Sequence, residues 1–179
     1  PSTADEQAWA DVTFLNFDIP AVGDAMRDCM LYWIKETDID GYRCDYAGGV
    51  PLDWWQSVNN AIRELKPNAL MLAETSDARH YDVGFDLLYS WSYLYAIEEL
   101  YSGNGTFNSL VSASNAEYNA TPIGKERMRY VTTHDEIATK APASIYRDAA
   151  GATTTSHHGT YIGKIDIYKV GFVGYNLRY

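Results

Sequence analysis

The sequence predicts an α/β fold built on a parallel sheet, and three observations carry the prediction. Short apolar runs such as Ala69–Glu74 and Phe85–Tyr89 recur along the chain. Between them lie longer stretches with apolar residues at helical spacing. Glycine and proline punctuate the junctions, as at Gly48-Gly49, Pro51 and Pro67. Strands alternating with amphipathic helices make βα units, which join parallel strands. Their right-handed crossovers place every helix on one side if the sheet curls into a barrel.

The elements follow in order. After a loop-like opening over residues 1–18, Asp18 and Pro20 signal a helix start. Val22, Ala25, Met26, Cys29, Met30 and Trp33 then form one apolar stripe. A short strand is predicted from Ile39 to Tyr46. Gly48-Gly49 and Pro51 break the chain before a second helix, whose stripe is Trp54, Trp55, Val58, Ala61, Ile62 and Leu65 and which Pro67 stops. Ala69–Glu74 reads as a strand buried on both faces, and Phe85–Tyr89 as another short apolar run. Helical segments are predicted near 91–101 and 105–117, and Met128–Thr133 is the fourth strand. From about residue 140 the βα rhythm stops. Residues 140–160 are rich in Ala, Thr and Ser, and residues 161–179 alternate like strands.

Composition narrows the function. The 179 residues carry 14 Lys plus Arg against 24 Asp plus Glu, a net charge of −10. Such a balance repels phosphate backbones and anionic membrane surfaces, so neither nucleic acid nor membrane is an expected partner. No apolar run approaches the ~20 residues of a membrane helix. Two cysteines, Cys29 and Cys44, are too few for a disulfide framework or a four-ligand zinc site, and both are expected as buried thiols. The 14% aromatic content suits a sugar site and a core alike. Trp54 and Trp55 fall on a helical stripe and read as core, whereas Tyr46 and Trp91 follow strand ends and are candidates for stacking on a sugar. His157-His158, on a polar stretch, read as solvated, and so by default do His80 and Asp82.

Three acids stand at or just past predicted strand ends: Asp45, Glu74 and Asp135. In a parallel βα barrel the strand ends form the active face, so these carboxylates converge. One such acid alone is as readily a helix cap; three on consecutive units favour a site. Arg43 lies two residues before Asp45, on the same face of the strand, and favours its ionised form. Glu74 follows Leu70, Met71, Leu72 and Ala73 with no basic neighbour in sequence, so desolvation is expected to keep it protonated. One carboxyl lowered and one raised is the pattern of retaining glycoside hydrolysis, in which the two groups lie ~5–5.5 Å apart.

Asp40-Gly-Tyr-Arg-Cys-Asp45, Met71-Leu-Ala-Glu74 and Val131-Thr-Thr-His134-Asp135 together resemble ordered signature segments of the α-amylase family of glycoside hydrolases. Asn16-Phe-Asp18 is also similar to members of that family. The resemblance covers about residues 9–139. It implies a partial (β/α)8 TIM barrel, roughly strands four to seven, truncated at both ends. It implies Asp45 as nucleophile, Glu74 as acid/base and Asp135 as the carboxylate that stabilises the transition state, with Arg43 and His134 around the sugar ring. Tyr46 is added as a substrate-binding residue. The implied substrate is a starch-like α-glucan or maltooligosaccharide. A transglycosylase shares the same signatures, and a non-catalytic glucan-binding or inert barrel fragment is the alternative of another class.

The chain departs from the family pattern in places. Gly48 and Gly49 stand where many members carry Lys-His, and Thr133 stands where Asn is usual. Residues 1–139 are therefore assigned to the partial catalytic barrel, and residues 140–179 to a tail outside the pattern. No cofactor is expected: calcium is common in the family, but its usual ligands fall largely outside the matched portion. Exposed strand edges are expected to promote self-association. The sequence does not report its own address, and the resemblance implies a parent enzyme that is secreted or periplasmic.

Overall fold

The computed structural model describes residues 15–137. It begins with helix α1, Pro20–Thr37, followed by strand β1, Gly41–Cys44. Helix α2, Leu52–Leu65, leads to β2, Leu70–Ala73, and the short α3, Arg79–Asp82, precedes β3, Leu87–Tyr89. Helices α4, Trp91–Tyr101, and α5, Phe107–Asn119, lead to β4, Glu126–Met128, and α6 is a single turn at His134–Ile137. The tail at 140–179 and its His157-His158 pair lie outside the described residues.

The four strands form one sheet in the order β1-β2-β3-β4, and every pairing is parallel. Arg43 is in register with Leu72, and Leu72 with Leu87. Because side chains alternate across a strand, this register sorts residues by parity. Cys44, Met71, Ala73 and Leu88 join Trp55, Val58 and Ile62 of α2 and Ile34 of α1 in one core. Leu72, Leu87, Tyr89 and Met128 point to the other face, where Leu94 of α4 and Tyr130 join them. Leu72 and Leu87 are buried on this inner face. At the start of β1, a Cβ on Gly41 would collide with the Leu70 backbone; glycine lets the strands meet there.

The helix faces differ in detail from their predicted stripes. In α1 the inward residues include Gly23, Met30, Leu31 and Ile34, one position on from the predicted set. Trp33 is 52% exposed, and Cys29 is exposed, contrary to its expected burial. The Trp54 indole N–H donates to the Gly23 carbonyl at 3.0 Å and occupies the space a side chain there would need. That contact fixes the rotation of α1. In α2, Asn59 is buried and Leu65 is exposed. Asn59 donates through Nδ2 to the Val83 carbonyl at 2.8 Å, a tertiary bond that a hydrophobic pattern cannot show. Helix α1 starts with Pro20 after Ile19, and Asp18 makes no cap. Helix α5 starts at Thr106, whose hydroxyl accepts from the Ser109 N–H at 3.1 Å.

The fourth strand is the clearest displacement. It was predicted at Met128–Thr133 and lies at Glu126–Met128. Its only ladder partner among the described residues is β3, which ends at Tyr89 because α4 begins at Trp91. Beyond Met128 no β3 backbone remains to pair with.

The opposite end of the sheet is tied by Asp86. Its carboxylate accepts from Arg63 at 2.8 Å, Lys125 at 3.0 Å and the Met71 N–H at 2.9 Å. Burial pushes the Asp86 carboxyl upward, but these bonds outweigh it and hold the group below the usual carboxylate range. Asp86→Ala is therefore expected to cost about 2–3 kcal/mol in chemical denaturation at neutral pH. Because the folded state holds this proton less tightly than the unfolded chain, the contribution is full above the ordinary carboxylate range and fades as pH falls below it. The gap between wild type and variant should shrink on acidification; a gap that stays constant would remove the charge from the explanation.

Candidate active site

The parity that builds the inner face also builds the site. Arg43 on β1 points the same way as Leu72 and Tyr89, and Asp45 and Glu74 continue that parity past the ends of β1 and β2. The four groups meet at the C-terminal edge of the sheet. Arg43 makes three directed bonds there. Its Nε donates to the Tyr89 hydroxyl at 2.9 Å, one terminal nitrogen bonds Asp45 at 2.5 Å, and the other bonds Glu74 at 2.8 Å. The planar five-donor fork of a guanidinium allows this division, and a lysine could not reproduce it.

The two carboxyl groups occupy different surroundings. The Asp45 side chain is 76% exposed and that of Glu74 only 16%. The Arg43 hydrogen bond holds Asp45 below the usual carboxylate range, against a smaller upward push from burial. Burial pushes Glu74 upward; the Tyr46 N–H, which donates to its Oε2 at 2.8 Å, and the Arg43 charge pull it down without cancelling that effect. The charges of Asp45 and Asp135 add to the upward push. The expected split between the two acids is thus present. The expectation that Glu74 lacks a basic neighbour is corrected, since Arg43 reaches it across the sheet. Asp45 and Glu74 stand beside each other on one guanidinium, at 2.5 and 2.8 Å from its two terminal nitrogens.

Asp135 lines the same cleft as Asp45 and Glu74. It arrives on α6 rather than at a strand end, because β4 stops at Met128. His134 is largely exposed beside it, with Nε2 3.4 Å from an Asp135 carboxylate oxygen. The cleft has a volume of about 810 Å³ and is also lined by Tyr46, Trp54, Trp91 and Tyr95.

Tyr46 is 47% exposed and sits in the left-handed region at φ 42°, a conformation uncommon for a bulky residue. It precedes a 3-10 turn at Ala47–Gly49, and its ring lies where a Cβ on Gly49 would have to be. Glycine at 49 therefore admits the Tyr46 ring. Trp91 stacks on Tyr95 at 24° with 6.1 Å between centroids. Trp54 packs edge-on against Phe17 and Trp55, consistent with its reading as core, and one edge still borders the cleft.

His80 is not solvated. It is 2% exposed, with its ring nitrogens 3.1 Å from the Asp77 carbonyl and 3.2 Å from the Ala47 carbonyl, and it ties the two loops together. Asp82 closes α3. Tyr89 was missed as part of the site. Its signal was its place at the end of the third strand, equivalent to the places of Asp45 and Glu74. Among the described residues no group of three or more His, Cys, Asp or Glu side chains could hold a metal ion. Among the same residues, no helix is long and apolar enough to cross a membrane.

A four-stranded parallel sheet with acids gathered past its C-terminal edge is the architecture of part of a (β/α) barrel. No family model matches the chain. The chain is 40% identical over 65 residues to the intracellular maltogenic amylase of Bacillus subtilis, a match covering 36% of this chain and 11% of that protein. It is 27% identical over 121 residues to the cyclomaltodextrinase of Thermoanaerobacter pseudethanolicus, covering 66% of this chain and 20% of that one. The crystal structure of the maltogenic α-amylase AmyB from Thermotoga neapolitana superposes with a TM-score of 0.64 at 29% identity, over 70% of this chain and 29% of its own. These relatives and structural neighbours are α-amylases and related maltodextrin hydrolases, and the fold of this chain is a partial (β/α)8 barrel. The matched segments span no more than a fifth of these two curated relatives.

The electrostatics give a direct expectation. In a titration followed by carboxyl-carbon NMR, Asp45 should lose its proton below the ordinary aspartate range and Glu74 above the ordinary glutamate range. Arg43→Met should bring Asp45 up. Two carboxyl groups titrating together at ordinary values in the wild type would contradict this account of the site.

Proposed function

We propose that the site carries out retaining cleavage of α-glucosidic bonds in maltodextrin-type oligosaccharides. The observation that supports the reading best is one guanidinium spanning two carboxyl groups whose proton affinities are driven apart. Ionised Asp45 attacks the anomeric carbon while protonated Glu74 donates its proton to the leaving oxygen, and the bond to the leaving sugar breaks. Glu74, now a carboxylate, takes a proton from water, whose oxygen displaces Asp45 from the sugar. Asp135 holds sugar hydroxyls and balances the oxocarbenium-like charge. Arg43, His134 and the Tyr46 ring contact the sugar around the cleavage point. The names of the relatives, maltogenic amylase and cyclomaltodextrinase, favour short linear or cyclic maltodextrins over long starch chains.

The test is hydrolysis of a chromogenic maltoside. Glu74→Gln should lower turnover by about 10²–10⁴, and Asp45→Asn at least as much, since no covalent intermediate can form. The wild-type pH profile should rise as Asp45 ionises, below the usual carboxylate range, and fall as Glu74 loses its raised proton. Turnover that survives both substitutions would rule the reading out.

Assembly is a second part of the proposal. Among the described residues β1 and β4 each have a ladder partner on one side only, and Tyr32 and Trp33 of α1 are half exposed. Light scattering across a concentration series should show mass increasing with concentration. A constant monomer mass would count against self-association.

A further inference from the structure

We infer that Tyr89 is a positioning residue: its hydroxyl, as acceptor for Arg43 Nε, fixes the orientation in which one guanidinium spans both Asp45 and Glu74. The consequence for turnover rests on the glycosidase reading above; the positioning itself does not.

Of the three groups Arg43 holds, Tyr89 is the immobile one. It is 5% exposed, whereas Asp45 lies on a loop with its side chain largely in solvent. The Tyr89 backbone is held on both sides: its N–H donates to the Thr75 carbonyl at 3.0 Å, and its carbonyl accepts from Arg127 at 3.3 Å. Its ring packs edge-on against Tyr130 and beside Trp91, each with centroids 5.3 Å away. The Arg43 guanidinium carbon lies 5.7 Å from the centre of the same ring, within reach of a cation–π contact. The phenol thus grips the guanidinium by its one inner nitrogen. The two outer nitrogens are left aimed at the acids.

The charged groups facing this hydroxyl come from three elements: Arg43 on β1, Glu74 after β2 and Asp135 after β4. Burial raises the phenol above its ordinary range, against the pull of Arg43, so the hydroxyl remains neutral wherever the two acids titrate. A neutral, rigid acceptor holds the guanidinium in one place while protons move on and off its other two partners. Without it, Arg43 is tethered only by the groups whose charge changes, and it swings toward whichever is ionised.

Tyr89→Phe tests this, because the ring and its packing remain while the acceptor is lost. The whole chain is labelled for arginine Nε–H and carboxyl-carbon NMR. In the Phe variant the Arg43 Nε–H should exchange with solvent about tenfold or more faster, and the Asp45 titration should move up toward the ordinary range, with near-UV circular dichroism unchanged. An Nε–H equally protected and titrations equally placed in both proteins would overturn the inference. If the Phe variant does not fold, the wild-type Arg43 Nε–H supplies the test: held by Tyr89, it should exchange with solvent about tenfold or more slowly than the Nε–H of exposed Arg79, and equal exchange overturns the inference. In maltoside hydrolysis the Phe variant should lose about 10–100-fold in kcat with KM nearly unchanged. A wild-type chain that shows the titration split but hydrolyses nothing defeats the glycosidase reading and leaves the positioning intact. An active wild type whose Phe variant matches it in both readouts defeats the positioning alone.

Discussion

The C-terminal edge of this sheet is organised around one positive charge. Arg43 bonds Asp45 and Glu74, and the charge of Asp135 also acts on Glu74. One guanidinium cannot neutralise several neighbouring carboxylates. It bonds two of them, and their differing surroundings drive their proton affinities apart: the Arg43 hydrogen bond lowers that of exposed Asp45, and burial raises that of Glu74. Polarity between the acids therefore arises from a shared cation and unequal solvent access.

The opposite end of the sheet follows a different electrostatic rule. Asp86 is matched by two cations and a backbone N–H, and Lys66 bridges Asp38 and Asp40 at 2.9 and 3.1 Å. There the charges are satisfied and tie helix ends to strand starts. The satisfied ion pairs lie where the strands begin and the candidate site lies where they end, the division expected of a barrel. The arrangement also accounts for Cys44, which points into the core beside Arg43 and whose thiol burial pushes up to about 12; it belongs to the packing and not to the chemistry.

Much of this was legible in the chain. Helix and strand periods differ enough that α2, β2 and α4 stand where the pattern predicts them. Asp45, Glu74 and Asp135 were found because they stand at or just past predicted strand ends, and they do meet in one cleft. Their pKa directions could be argued from near neighbours, Arg43 for one and a hydrophobic run for the other. The rotation of α1, the extent of β4, the exposure of Cys29 and the burial of His80 could not, since each depends on a partner distant in sequence: the Trp54 indole, the short β3 ladder, or a backbone carbonyl on another loop.

The sequence by itself determined the alternation of elements, the parity of side chains along each strand and the identity of the acids. These are local properties, set by spacing and by the chemistry of single residues. Only the tertiary structure decided that Arg43 would reach Glu74, that Tyr89 would take its third bond and that Asp135 would arrive on a helical turn. Each of these depends on the register between strands, which hydrogen bonding across the sheet sets and which no stretch of the chain encodes alone.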